Sequence, residues 1–388
     1  MKKTGDLNLV KRMNKAIVLE YIQQHAPVSR ATIASKTGLT KATVSTLVSE
    51  WIDSHMVYEI GTGESSGGRK PVMLLFHAKA GFVIGIDLGV NYIHALLTDL
   101  DGEAACEHNM THANASVASV LEDVKACIRE LLRQAPASPY GVVGIGIGIP
   151  GISDDHGNVL FAPNLGWENV PLQQEIEKEF GIPVVIENEA NAGAVGEKRY
   201  GAGQDAAHLI YVSLGSGIGT GIIIKDELYR GATGFSGEIG HQSIDLNGPQ
   251  CRCGNYGCWE LYASEQALLE SAKSSLGRSA ADVDSLLQEA AQIGSAEISG
   301  LFAQLGRHLG IGLVNIVNSF NPELIIIGGR LTAAAEWLDE PIRQTMEQRL
   351  LPYPRKPLEV QFSALDSRST VLGASTLAAG NFFGKLKS

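Results

Sequence analysis

No apolar run in this 388-residue chain approaches the roughly 20 residues that span a bilayer, and its first residues form no apolar segment of the secretory type. A membrane-embedded or exported protein is therefore not expected, and the cytoplasm is the expected location. There is no low-complexity tract either, and with 44% hydrophobic residues the chain can bury the cores of two or three domains rather than remain a disordered scaffold. Cysteine is scarce. Of five, Cys251, Cys253 and Cys258 fall within eight residues, a spacing that suits a metal better than a disulfide framework. An overall basic excess is also missing, since the net charge is -11. That balance argues against a nucleic-acid partner only until it is divided: residues 1–80 hold 11 Lys/Arg against 6 Asp/Glu, and the remainder 20 against 36. A basic head on an acidic body confines DNA attraction to one module.

Within residues 1–80, Val10, Met13, Ile17 and Tyr21 recur at helical spacing, which predicts one amphipathic helix from about Leu9 to Gln24 with that stripe buried, ended by Pro27. A short helix capped by Ser29 and carrying Ile33 and Ala34 follows, then a turn at Gly38 and a third helix capped by Thr40. Its apolar stripe is Val44, Leu47, Val48 and Trp51. The opposite face, Ala42, Ser45, Thr46 and Ser49, is small and polar, so it can enter a major groove about 12 Å wide. Two strand-like runs, Val57 to Ile60 and Val72 to Phe76, flank a Gly-rich loop bearing Arg69 and Lys70, which reads as a wing. The module is thus expected to be a winged helix-turn-helix, mainly α with a β wing. Its candidate DNA contacts are Ser29, Arg30, Thr40, Lys41, Ala42, Thr43, Ser45, Thr46, Arg69 and Lys70. The plainer alternatives are a three-helix packing unit and a solvated linker.

From Phe82 a buried strand, a Gly turn, a second strand and an Asp-Gly turn follow one another, and a similar arrangement returns from His208 to Asp226. This pairing suggests duplication. With strand signals at Gly144 to Ile149 and Leu324 to Ile327 and helical stretches between, the body is expected to be α/β in two lobes, 81–200 and 201–369, the first completed by a C-terminal helix over 370–388. Both Gly turns could offer backbone N–H groups to phosphate, although any tight turn needs Gly equally.

The segment Gly237 to His241, G-E-I-G-H, followed by C-R-C-G-N-Y-G-C-W-E from Cys251 to Glu260, supplies one His and three Cys. His241, Cys251, Cys253 and Cys258 make a complete tetrahedral zinc set with no open position for a catalytic water, so one structural zinc per chain is expected.

These same residues, E-x-G-H and C-x-C-G-x-x-G-C-x-E, resemble the signature of the ROK family of bacterial repressors and sugar kinases, over nearly the whole chain. The resemblance implies an actin-like, sugar-kinase-type two-lobed fold with a monosaccharide in the cleft. Carried over by position, it places sugar contacts at Asn164, Asn188, Glu189, Glu238, His241 and Glu260. Carboxylates, amides and an imidazole suit a polyol, whose hydroxyls need both donors and acceptors. His241 would give one ring nitrogen to zinc and the other to the sugar.

Departures from the kinase pattern are equally informative. Glu189 stands where kinases of the family carry a catalytic Asp, and the first phosphate turn reads Asp87-Leu88-Gly89-Val90-Asn91, with Val in place of a Gly. A carboxylate displaced by a methylene moves by more than about 1 Å, which can cost about 100-fold. A non-enzyme is expected: a homodimeric repressor on a palindromic operator, released by a sugar. The stretches S-S-G-G-R-K-P-V-M-L and C-W-E-L-Y-A-S-E resemble the branch of the family that answers to D-xylose, which implies D-xylose as inducer and xylose-utilisation genes as targets. The alternatives are an ATP-dependent sugar kinase with an accessory DNA-binding domain, a repressor answering to a phosphorylated or amino sugar, and an activator.

Overall fold

The computed structural model describes residues 7–62, 70–112, 116–277, 282–293, 295–352 and 358–387. The amino-terminal unit comprises α1 (Leu7–His25), β1 (Val28–Ser29), α2 (Arg30–Thr37), α3 (Lys41–Asp53), β2 (Val57–Thr62) and β3 (Val72–Phe76), the strands forming an antiparallel sheet in the order β1-β3-β2. Local chemistry sets the helix ends. Ser29 Oγ accepts from the Thr32 N–H, Thr40 Oγ1 accepts from the Thr43 N–H, and Gly38 takes the left-handed φ of 73° between them. Helix α3 buries Val44, Leu47, Val48 and Trp51 as its period requires. In α1 the expected face is corrected: Val10, Met13 and Ile17 are 45%, 56% and 40% exposed, while Val18, Leu19 and Ile22 are fully buried. The helix carries apolar side chains on two adjoining strips, and the strip facing Trp51 is the one that finds partners. Strand β1, only two residues long and placed by pairing with β3, is not signalled by sequence.

The body contains two five-stranded sheets. In the first, β4 (Phe82–Leu88), β5 (Tyr92–Asp99) and β6 (Ala104–Thr111) are antiparallel neighbours; α4 (Val117–Gln134) crosses to β7 (Val142–Ile149), parallel to β4. A small sheet of β8 (Ile152–Ser153), β9 (Val159–Ala162) and β10 (Trp167–Val170) and then α5 (Leu172–Phe180) lead to β11 (Val184–Asn188), parallel to β7, and to α6 (Glu189–Tyr200). In the second, β12 (His208–Leu214), β13 (Ile218–Ile224) and β14 (Glu227–Leu228) are antiparallel. Helices α7 (Glu260–Ala263), α8 (Glu265–Leu276), α9 (Val283–Ile293) and α10 (Ala296–Phe320) cross to β15 (Leu324–Gly328), and α11 (Ala335–Arg349) crosses to β16 (Glu359–Phe362), followed by α12 (Ser369–Lys387). The orders β6-β5-β4-β7-β11 and β14-β13-β12-β15-β16 coincide strand for strand and sense for sense, which is the repeat that the two Gly-turn hairpins suggest. Central strands covered on both faces explain runs as apolar as F-V-I-G-I-D-L.

The helices that end the two halves are exchanged between them. Helix α6 packs on β12 and β13 of the second sheet, and α12 packs on β4 and β7 of the first. They cross closely enough that a Cβ on Gly373 would lie 1.7 Å from the Ala192 carbonyl oxygen, so only glycine fits there. The far end of α12 reaches the amino-terminal unit. Ala378 and Ala379 share a core with Trp51 and Leu74, Phe383 lies 6.2 Å from Phe76 between ring centres, and Lys15 Nζ donates to the Leu386 carbonyl at 3.1 Å. Tyr140 adds a hydrogen bond to the Ser54 carbonyl at 2.7 Å. The head is therefore docked on the first sheet, not tethered. Among the described residues, no helix is long and apolar enough to cross a membrane.

Candidate functional site

Between the lobes lies a cavity of about 250 Å³. Asn164, Asn188 and Glu189 line it from the first half, and Glu238, His241 and Glu260 from the second, so the six positions carried over from the family pattern meet at one place. Each is set by a short local device. Asn188 caps α6: its Oδ1 accepts from the Ala190 and Asn191 N–H groups, and its Nδ2 donates to the Gly151 carbonyl at 3.0 Å. One amide hydrogen is left for a ligand. Glu238 and His241 share a single helical turn that starts after Gly237, whose φ of 97° and close approach to the Thr220 carbonyl exclude a side chain. Glu260 opens α7 two residues after Cys258. Phe161, 46% exposed, offers an apolar wall.

The donor atoms of His241, Cys251, Cys253 and Cys258 all lie within 4.8 Å of one another. Cys253 Sγ is 3.7 Å from Cys258 Sγ, and Cys251 Sγ is 3.7 Å from His241 Nδ1. Thiolates bound tetrahedrally at about 2.3 Å would stand about 3.8 Å apart, so the cluster fits a four-coordinate metal ion. His241 presents Nδ1 to the thiols, leaving Nε2 3.8 Å from Glu238 Oε2. Glu260 Oε1 lies beside the thiols, 3.4 Å from Nδ1 and 3.1 Å from Cys251 Sγ. The four candidate ligands thus include His241 and adjoin Glu260, two of the side chains that line the cavity.

The floor of the cavity is acidic. The Glu189 carboxyl keeps some surface on the cavity but is densely surrounded by protein, and this desolvation, followed by repulsion from Asp87, Glu265 and Glu238, pushes its pKa up to about 8. Burial likewise raises Asp87 to about 7, against the hydrogen bond it accepts from Tyr92 Oη at 3.0 Å. With its pKa near the neutral range, Glu189 can present a protonated carboxyl that donates as well as accepts, which suits a hydroxyl ligand.

Both Gly turns have structural reasons. The ring of Tyr92 lies against Gly89, where a Cβ would be 2.0 Å from Tyr92 Cε1. That ring covers the first turn, where phosphate would have to approach. In the second, a Cβ on Gly217 would lie 2.6 Å from Glu260 Oε2, so this glycine admits Glu260 to the cavity.

On the head, Lys41, Ala42, Ser45 and Thr46 are exposed along α3, and Thr40 and Thr43 sit at its first turn with their hydroxyls 2.9 Å apart. Arg30 is paired with Glu59 at 2.7 Å. Ser29 is 6% exposed and its hydroxyl is engaged as the cap of α2. Lys70 is exposed, and Arg69 lies outside the described residues. Sequence reasoning missed Tyr92, Phe161, Arg252 and the pair Glu187 and Arg230. Only Arg252, inside the C-x-C motif, carried a local signal; its Nη1 lies 3.4 Å from Asn164 Oδ1 across the cleft.

The ROK family model matches residues 83–381. The chain is 41% identical to the xylose repressor of Bacillus spizizenii over 385 residues, 99% of each chain. Among solved structures it is similar to a ROK family transcriptional regulator, a homologue of the E. coli MLC protein, with a TM-score of 0.82 and 29% identity over 97% of this chain and 98% of that one. It is also similar to a ROK family glucokinase from Streptomyces griseus in complex with glucose and AMPPNP, with a TM-score of 0.69 and 33% identity over 77% of this chain and all of that one. With a family model that matches residues 83–381 and a relative 41% identical over nearly the full length of both chains, the chain belongs to the ROK family.

Proposed function

We propose that the protein is a cytoplasmic, D-xylose-responsive repressor of xylose-utilisation genes. The observation that carries this reading is the convergence of six polyol-binding side chains on one cavity whose walls are held by the metal cluster. The identity to a xylose repressor over the full length supports the choice of sugar. The metal is zinc, by the softness and tetrahedral spacing of three thiolates and an imidazole. It is structural, with the sugar contacts at Asn164, Asn188, Glu189, Glu238, His241 and Glu260.

The head over 1–80 is a winged helix-turn-helix whose α3 enters the major groove, with Arg69 and Lys70 on the wing. Lobes 81–200 and 201–369 close on the sugar, and two copies of the chain present their α3 helices to a palindromic operator. Because both lobes contribute to the cavity, sugar favours one spacing of the lobes. Helix α12 runs from the lobe junction, where Thr370 Oγ1 donates to the Glu189 carbonyl at 3.2 Å, to the head at Phe383. It is a physical path from cleft to DNA. The Tyr92 ring against Gly89 and the longer Glu189 in place of an Asp favour a repressor over a kinase.

Fluorescence anisotropy on labelled operator tests this. D-xylose should release the DNA at concentrations where N-acetylglucosamine does not, without ATP. Retention of operator in saturating D-xylose would refute the reading.

A further inference from the structure

Glu187, the penultimate residue of β11, is 8% exposed, and β11 is the edge strand of the first sheet. Its Oε1 accepts from Asn191 Nδ2 at 2.9 Å and from the Asn188 N–H at 3.1 Å. Its Oε2 accepts from Arg230 Nε at 2.9 Å and faces Arg230 Nη2 at 2.7 Å. Arg230 follows β14, the edge strand of the second sheet. A carboxylate on one lobe and a guanidinium on the other thus join the two sheet edges, and Asn188, a wall of the cleft, takes part in the same hydrogen-bond group. The pair borders a second cavity of about 290 Å³ that shares Asn188 and Glu238 with the first.

We propose that Arg230 and Glu187 form an interlobe clasp that positions Asn188 and sets the lobe spacing at which the sugar is received. The proposal rests on the sugar reading above and adds the residues that tune it. The carboxylate is mostly out of water, so its charge is weakly screened and loss of the guanidinium leaves it under-solvated. The lobe edges then relax apart until water reaches Glu187, and Asn188 loses its fixed place opposite Glu238. Arg is suited to the post because two of its nitrogens reach one oxygen from a fixed plane, whereas Lys would keep the charge with a single donor.

The test is calorimetric titration of D-xylose into the full-length wild type, R230A and R230K, with amide hydrogen exchange over residues 184–191 measured without sugar. The side chain of Arg230 is 46% exposed and Glu187 keeps the bonds from Asn188 and Asn191, so R230A should fold with unchanged metal content and a lowered Tm. The clasp predicts a sugar Kd about tenfold higher in R230A, partial recovery in R230K, and faster exchange at 187–191 in R230A. Wild-type sugar affinity in R230A, or unchanged exchange at 187–191, overturns it. If the wild type itself binds no sugar, the functional reading falls first and the clasp's role in sugar reception falls with it.

Discussion

Cys253 is the exposed member of the candidate metal cluster, and its sulfur stands 3.7 Å from that of Cys258. Cys253→Ser should abolish stoichiometric metal by elemental analysis and lower sugar affinity at least tenfold, because His241 and Glu260 lose the anchor that aims them into the cleft. Retained metal with normal sugar affinity would contradict the link. Glu189 makes a second prediction, in pH. Its pKa rises from an ordinary 4.5 to about 8 in the folded protein, so its stabilising contribution is complete below pH 4.5, where folded and unfolded forms are both protonated. It is lost as the pH rises through 8 and folding must hold a proton that the unfolded chain has released. The urea midpoint of the wild type should therefore fall between pH 6 and pH 8.5 more than that of Glu189→Gln; equal slopes would place the titration elsewhere.

At the scale of elements, α3 is expected to behave as a reading helix and α12 as a strut. Lys41→Ala should weaken operator binding and lower the log–log salt slope by about 0.9, the share of one phosphate contact, with sugar binding untouched. Phe383→Ala removes a half-buried ring between α12 and the head, costing about 2 kcal/mol of stability. It should leave sugar affinity intact while blunting sugar-driven operator release in the anisotropy assay. These elements differ in how readily the sequence announces them. The caps Ser29 and Thr40, the α3 stripe and the two Gly-turn hairpins were legible because residues a few positions apart determine them. The buried face of α1 was not, since its two apolar strips are equivalent until Trp51 selects one. Nor was the exchange of α6 and α12, nor the ion pair of Glu187 with Arg230, residues 43 apart in sequence. The covering of Gly89 by Tyr92 escaped notice for another reason: three residues suffice to place the ring, but nothing in the spacing says which way it turns.

For the molecule as a whole, charge and architecture agree. The basic excess lies in a head that shares a core with the first lobe through Ala378 and Ala379, so a change in lobe spacing has a packed route to α3. The metal residues and the six cavity residues are legible together as a family pattern, whereas the lobe-to-lobe contacts that give the pattern a mechanical consequence are visible only in the fold. If sugar and operator favour different lobe spacings of one dimer, each must weaken the other's binding by the same factor. The most direct measurement is the D-xylose affinity of the full-length protein, free and saturated with operator, at one salt concentration. The account predicts a weaker affinity on the operator, by a factor equal to the loss of operator affinity in saturating xylose. An identical xylose affinity in the two states would contradict it.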